Sequence, residues 1–207
     1  MTIQDFIAQY RNHPILFVGT GISLRYLKNS FTWDDLLSKI AFELTENSEY
    51  YFDVKAECHI NGKFDYLKIA TIIEDKFNLI LQEERNGKFK HINDIFYENM
   101  AKGVNLSRFK IYIAELFSKL EFREDMADEL KNLKKIRKNV GSIITTNYDG
   151  LIEHIFEFTK LIGNNILLSN PYGSVYKIHG CFENPEKIII TERDYLTFDN
   201  KFELIRA

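Results

Sequence analysis

A chain of 207 residues with 45% hydrophobic and 28% charged side chains has the composition of a globular protein with one substantial core, and of neither a disordered nor a fibrous one. Its formal net charge of −3 provides no general basic field, which argues against nucleic acid as a direct partner. No apolar run reaches the roughly 18 residues of a spanning helix, and no basic region followed by an apolar stretch opens the chain, so the sequence predicts a soluble, cytoplasmic protein with no membrane partner.

In chain order, the apolar run Pro14-Ile15-Leu16-Phe17-Val18, ending in Gly19-Thr20-Gly21, predicts a strand buried on both faces and central to a parallel sheet. Thr32-Trp33-Asp34-Asp35 has the spacing of a capping box with Asp in place of Glu, and Leu36, Leu37, Ile40 and Leu44 continue it as a helical stripe that Trp33 staples to the body. Residues 47–139 carry helical periodicity and form a helical insertion within a domain of residues 1–207. Tyr66, Ile69, Ala70, Ile73, Phe77, Ile80 and Leu81 mark one face; Phe109, Tyr112, Ile113, Leu116, Phe117 and Leu120 mark a second; Met126, Leu130, Leu133 and Ile136 mark a third. Lys131, Lys134, Lys135, Arg137 and Lys138 read as a solvated face that complements a helix C-terminus, with phosphate contact as the alternative.

Strand and helix alternation then resumes. Val140 to Thr145 reads as a second buried strand, and Leu151, Ile152, Ile155 and Phe156 mark a helix after it; shorter strands are expected at 166–168, 175–178 and 188–190. The pattern predicts an α/β fold, a Rossmann-like, mostly parallel sheet flanked by helices with a helical insertion module. In such sheets ligands bind beyond the carboxyl ends of the strands. Cys58 and Cys181 are far apart and form no CxxC pair; buried reduced thiols are expected, and no metal site.

Three short motifs stand at those strand ends. Gly19-Thr20-Gly21-Ile22-Ser23 offers bare backbone, amide hydrogens and a hydroxyl, which suits a pyrophosphate, although a tight turn alone would explain it equally. In Thr145-Thr146-Asn147-Tyr148-Asp149 the Asn147 amide can both donate and accept toward ribose hydroxyls or a water, while Asp149 reads either as a ligand-side carboxylate or as the cap of the next helix. In Lys177-Ile178-His179-Gly180 the imidazole ends a strand and is a general-base candidate; His13, His59, His91 and His154 read as structural or solvated.

Taken in this order, the motifs resemble the sirtuin superfamily, whose members pair a G-A-G-I-S loop with T-Q-N-x-D and a catalytic H-G. Ile190-Thr191-Glu192-Arg193-Asp194-Tyr195 is similar to the T-E-x-D-Y stretch of the bacterial sirtuin-like branch. The resemblance spans residues 14–45 and 139–198 and leaves the helical insertion unmatched. Leu24-Arg25-Tyr26-Leu27 stands where the deacylases have P-D-F-R, and with two cysteines a four-cysteine zinc module cannot be built from this chain alone. What remains resembles the sirtuin-like NADases of bacterial anti-phage defence. That resemblance implies NAD as substrate, no metal, and hydrolysis to nicotinamide and ADP-ribose in abortive infection. It implies binding through Gly19, Thr20, Gly21, Ile22 and Ser23, with Thr146 and Asp149 on the nicotinamide side and Asn147 and His179 as catalytic residues; Thr146 stands where the deacylases have glutamine.

Family members continue past the T-E-x-D-Y stretch into a further strand. A regulatory protein subunit or a homo-oligomer is therefore an expected partner, a shortened or partial effector being the other reading. Two rival functions stay open: a non-catalytic regulatory subunit that binds NAD or ADP-ribose, and an NAD-dependent deacylase or ADP-ribosyltransferase.

Overall fold

The computed structural model of the chain describes residues 13–163 and 172–201. Its elements in chain order are β1 (Ile15–Val18), α1 (Gly21–Tyr26), α2 (Trp33–Thr45), α3 (Ser48–Glu57), β2 (His59–Ile60), β3 (Lys63–Phe64), α4 (Tyr66–Glu83), α5 (Lys90–Ala101), α6 (Arg108–Leu116), α7 (Ala127–Lys135), β4 (Ser142–Thr145), α8 (Leu151–Phe156), β5 (Thr159–Ile162), β6 (Ser174–Lys177) and α9 (Glu192–Lys201). They divide into two units, Met1–Ser30 with Phe117–Cys181, and Phe31–Leu116 with Phe182–Ala207. Of the stretch read as a helical insertion, residues 47–116 fall in the second unit and 117–139 in the first.

The first unit is built on a sheet of order β1-β4-β6-β5 in which every pairing is parallel, the Rossmann-like α/β arrangement that the alternation of strands and helices predicts. Leu16 and Val18 of β1, Ile143 of β4 and Val175 of β6 face one core with Tyr26 and Leu27 at the end of α1 and Leu151, Ile152, Ile155 and Phe156 of α8. Leu130 and Leu133 pack α7 against the same cluster, which leaves Lys131, Lys135, Arg137 and Lys138 exposed, a solvated face.

Two strand expectations are corrected and one strand is added. β1 lies at the end of the described strand order and not at its centre, with Ile15 and Phe17 exposed at 59% and 68%; an unbroken apolar run does not distinguish a doubly covered strand from one with an open second face. β5 went unread because Thr-Lys-Leu-Ile has neither an apolar run nor clean alternation. Residues 188–190 form no strand: Ile188 and Ile190 are buried, but the segment leaves a 3-10 turn at Pro185–Lys187 and the Ile190 N–H donates to Asp194, which leads the chain into α9. The strand expected at 166–168 lies outside the described residues.

Gly141, just ahead of β4, donates its N–H to Pro14 O, and a Cβ there would stand 2.5 Å from the His13 carbonyl oxygen. Because the obstacle is backbone, Gly141→Ala is expected to destabilise the chain by about 1–3 kcal/mol, read as a lowered denaturant midpoint.

In the second unit, the capping box at the start of α2 is complete: Thr32 Oγ1 accepts from the Asp35 N–H at 3.1 Å and the Asp35 carboxylate accepts from the Thr32 N–H at 3.3 Å. The face read for α4 is its buried face, with Ile69, Ala70, Ile73, Phe77 and Leu81 inside, and Phe77 stacks on Tyr112 of α6 at 5.4 Å between ring centres. Inside the stretch read as helical, β2 and β3 form an antiparallel hairpin. Its turn residues Asn61 and Gly62 both have positive φ, as a type I′ turn requires, and Asn-Gly is the sequence signal for it. Cys58 and Cys181, one in each unit, are free thiols with no exposed surface.

Candidate functional site

The parallel register fixes where the motifs emerge. Val18 is opposite Thr145 and Thr145 opposite Lys177, so Gly19, Thr146 and Ile178 leave the sheet in one row at its carboxyl edge. The Ile178 N–H donates to Thr145 O at 3.1 Å, which extends the ladder one residue into the loops.

Four of the expected residues are joined by hydrogen bonds. Asn147 is 5% exposed, and its Nδ2 donates to Gly19 O at 3.2 Å and to Ser23 Oγ at 3.0 Å. Ser23, fully buried, donates in turn to Asp149 Oδ2 at 2.7 Å. The Ser23 hydroxyl proton is thereby committed, so this residue ties Asn147 to Asp149 and has no second proton for a phosphate. The other Asp149 oxygen accepts from the Leu151 N–H at 2.9 Å, so one buried carboxylate, just ahead of the N-cap residue Gly150, ties the first amide of α8 to the loop. The loop is pinned at its near end by the Asn147 N–H donating to Thr145 Oγ1 at 3.1 Å.

One atom of this network is left over. Asn147 Oδ1 is buried and accepts no hydrogen bond from any of the described residues. An orphaned buried acceptor costs about 1–3 kcal/mol unless something supplies a donor.

The glycines of the first motif are not demanded by the fold. Neither Gly19 nor Gly21 adopts positive φ, and a Cβ at either would meet nothing within 4 Å. Thr20 is the N-cap of α1 without a side-chain capping bond, the Ile22 side chain packs on the core, and the Ile22 N–H donates to Gly19 O at 3.3 Å. Gly180 is different: its φ of 78° is a left-handed conformation that a side chain would strain. The glycine after His179 is therefore a backbone requirement first.

His179 itself is half-buried beyond the end of β6, and desolvation pushes its imidazole below the ordinary histidine value. It is accordingly neutral at pH 7 and able to accept a proton. Thr146 is partly exposed on the adjoining strand end.

Two further segments are occupied structurally. Arg25, in the Leu24–Leu27 stretch, pairs with Glu129 through two bonds of 2.5 Å, and Tyr26 adds a third at 2.7 Å. In the second unit Thr191-Glu192-Arg193-Asp194 is a capping box for α9: Asp194 Oδ2 accepts from the Thr191 N–H at 3.0 Å and Thr191 Oγ1 from the Asp194 N–H at 3.3 Å. Asp194 is also paired with Lys110 of α6 at 2.5 Å, Arg193 with Glu74 and Asp75 of α4, and the Glu192 N–H donates to Thr71 Oγ1.

Sequence reasoning missed Lys177. Its side chain is fully buried, its ammonium bonds to the carbonyl oxygens of Asn147 and Asp149, and Glu153 Oε1 is 3.2 Å away. The available signal was a lysine set among Val175, Tyr176 and Ile178 immediately before the histidine.

Among the described residues no three histidine, cysteine, aspartate or glutamate side chains gather in a way that could hold a metal ion, and no helix is long and apolar enough to cross a membrane. Residues 141–207 match the family model of the SIR2-like domain. The match takes in β4, the Asn147 loop, β6, His179-Gly180 and the Thr191–Tyr195 stretch. It supports a place in the sirtuin-like superfamily and a function connected with NAD, which SIR2-like domains bind. No curated protein matches the chain closely enough to count as a relative.

Proposed function

We propose that this chain is an NAD glycohydrolase, releasing nicotinamide and ADP-ribose, and that it serves as the effector of an abortive-infection response held in check by assembly or by a regulatory subunit. The observation that carries the reading is the unpartnered Asn147 Oδ1 within the asparagine–serine–aspartate network at the carboxyl edge of a parallel sheet. A ribose hydroxyl or a bound water supplies the donor that this oxygen lacks. The open space over Gly19 and Gly21 is what a pyrophosphate fills when it approaches backbone closely; Thr20 and Ile22 line the same loop, and Ser23 acts by holding Asn147 and Asp149.

Cleavage of the nicotinamide–ribose bond makes the ribose carbon cationic in the transition state, so the protein's tasks are to hold the ribose, stabilise that charge and bring a water to it. Asn147 orients the ribose or the water. The buried Asp149 brings negative charge to the same loop, with Thr146 beside it on the nicotinamide side. His179, neutral at pH 7 because it is desolvated, takes the proton from water or a ribose hydroxyl. No step in this scheme needs a redox change.

The test is chromatographic: full-length protein, alone and with its assembly partner, is incubated with NAD and the products are resolved. Nicotinamide and ADP-ribose appearing together support hydrolysis. Binding of NAD with no turnover in any assembly supports the regulatory-subunit reading, and consumption that depends on an added acylated or acceptor protein supports the transferase reading. Gly19→Ala is expected to leave the melting temperature unchanged, since the new methyl has room, while weakening NAD binding about tenfold by obstructing backbone approach. Calorimetric titration with equal affinities for wild type and variant would put the pyrophosphate elsewhere.

A further inference from the structure

Lys177, the last residue of β6, is fully buried, where lysine is seldom found unless it is paired. Its ammonium donates to Asn147 O at 3.1 Å and to Asp149 O, so one group grips the loop on both sides of Tyr148. It also lies 3.2 Å from Glu153 Oε1 in the first turn of α8. Both Glu153 carboxylate oxygens are buried and accept no hydrogen bond of good geometry from the described residues, which makes Lys177 the charge that compensates them. The loop that carries Asn147 is therefore held from below by a buried ion pair, and from the side by Ser23.

We infer that Lys177 is a positioning residue for Asn147: its ammonium clamps the Asn147–Asp149 main chain so that Nδ2 is spent on Gly19 and Ser23 and Oδ1 is left for the substrate. The functional part of this role rests on the reading of Asn147 as a substrate-binding group. The clamp itself rests on the contacts alone. A lysine that served only the stability of the core would be replaceable by an apolar chain once its carboxylate partner was replaced as well.

That difference sets the experiment. Full-length Lys177→Met leaves the Glu153 carboxylate buried and uncompensated and is expected to melt well below wild type. Lys177→Met with Glu153→Leu removes both charges and is expected to recover most of that loss. In the double variant, hydrogen–deuterium exchange of the Asn147 and Leu151 amides, both hydrogen-bonded within this loop, should be about tenfold faster than in wild type, with β4 unchanged. Its NAD turnover should fall about a hundredfold in kcat with little change in KM. Wild-type exchange in the double variant overturns the clamp, and a kcat that recovers together with stability overturns the positioning role. If wild type itself releases no nicotinamide, the hydrolase reading fails while the exchange rates still decide the clamp.

Discussion

Asn147→Ala is expected to reduce NAD hydrolysis by about 10²–10³-fold, the range seen when one preorganised hydrogen-bonding group is removed from a site where charge develops. The substitution deletes the orphaned Oδ1 and the two bonds from Nδ2 to Gly19 O and Ser23 Oγ. The folding cost should stay near 1–2 kcal/mol, because Gly19 O still accepts from the Ile22 N–H and the buried Ser23 hydroxyl keeps its bond to Asp149. Turnover measured beside a thermal melt separates the effects: a large loss of rate with a small loss of stability is the signature of a group that works on the substrate. An unchanged rate would remove Asn147 from the chemistry and leave it a purely structural tie.

His179→Ala should lower turnover by about 10²–10⁴-fold, the usual contribution of a positioned general base. The pH dependence gives a more specific check. Burial holds the imidazole below its ordinary value of 6.5, so the base is unprotonated from below that pH upward. The wild-type rate should be flat around pH 7 and fall on an acid limb whose midpoint lies below 6.5, and the His179→Ala variant should lack that limb. Stability carries the same sign. Just below pH 6.5 the unfolded chain binds a proton at this position that the native chain does not, so stability rises with pH across that window and the variant loses part of the slope. An acid limb centred above 6.5 would contradict the desolvated setting of the imidazole.

How far the sequence could be read depended on whether a residue's role is local. The Thr32–Asp35 capping box, the buried face of α4 and the strands β4 and β6 were legible because each follows from a repeat or a spacing within one element. The meeting of Gly19, Ser23, Asn147 and Asp149 was legible only in outline, from motifs placed at strand ends; that Ser23 spends its proton on Asp149 depends on a contact across 126 residues of sequence. The burial of Lys177 was hinted at only by its apolar neighbours, which do not reveal the glutamate carboxylate across from it. The open face of β1 escaped for the converse reason, since Ile15 and Phe17 have the same character whether or not anything covers them. The Thr191–Asp194 stretch shows a third limit: its likeness to a family signature says nothing of its structural role, while its geometry is that of a helix cap tied to Lys110.

The two buried thiols give the molecule built-in reporters. Cys58 and Cys181 sit in different units and neither has exposed surface, and burial also raises the Cys58 thiol above its ordinary value. A maleimide added to native protein thus meets no accessible sulfur and reacts only as the surrounding structure opens. Replacing one cysteine at a time would make labelling rates read the opening of each unit by itself, and so show whether the sheet or the helical bundle gives way first.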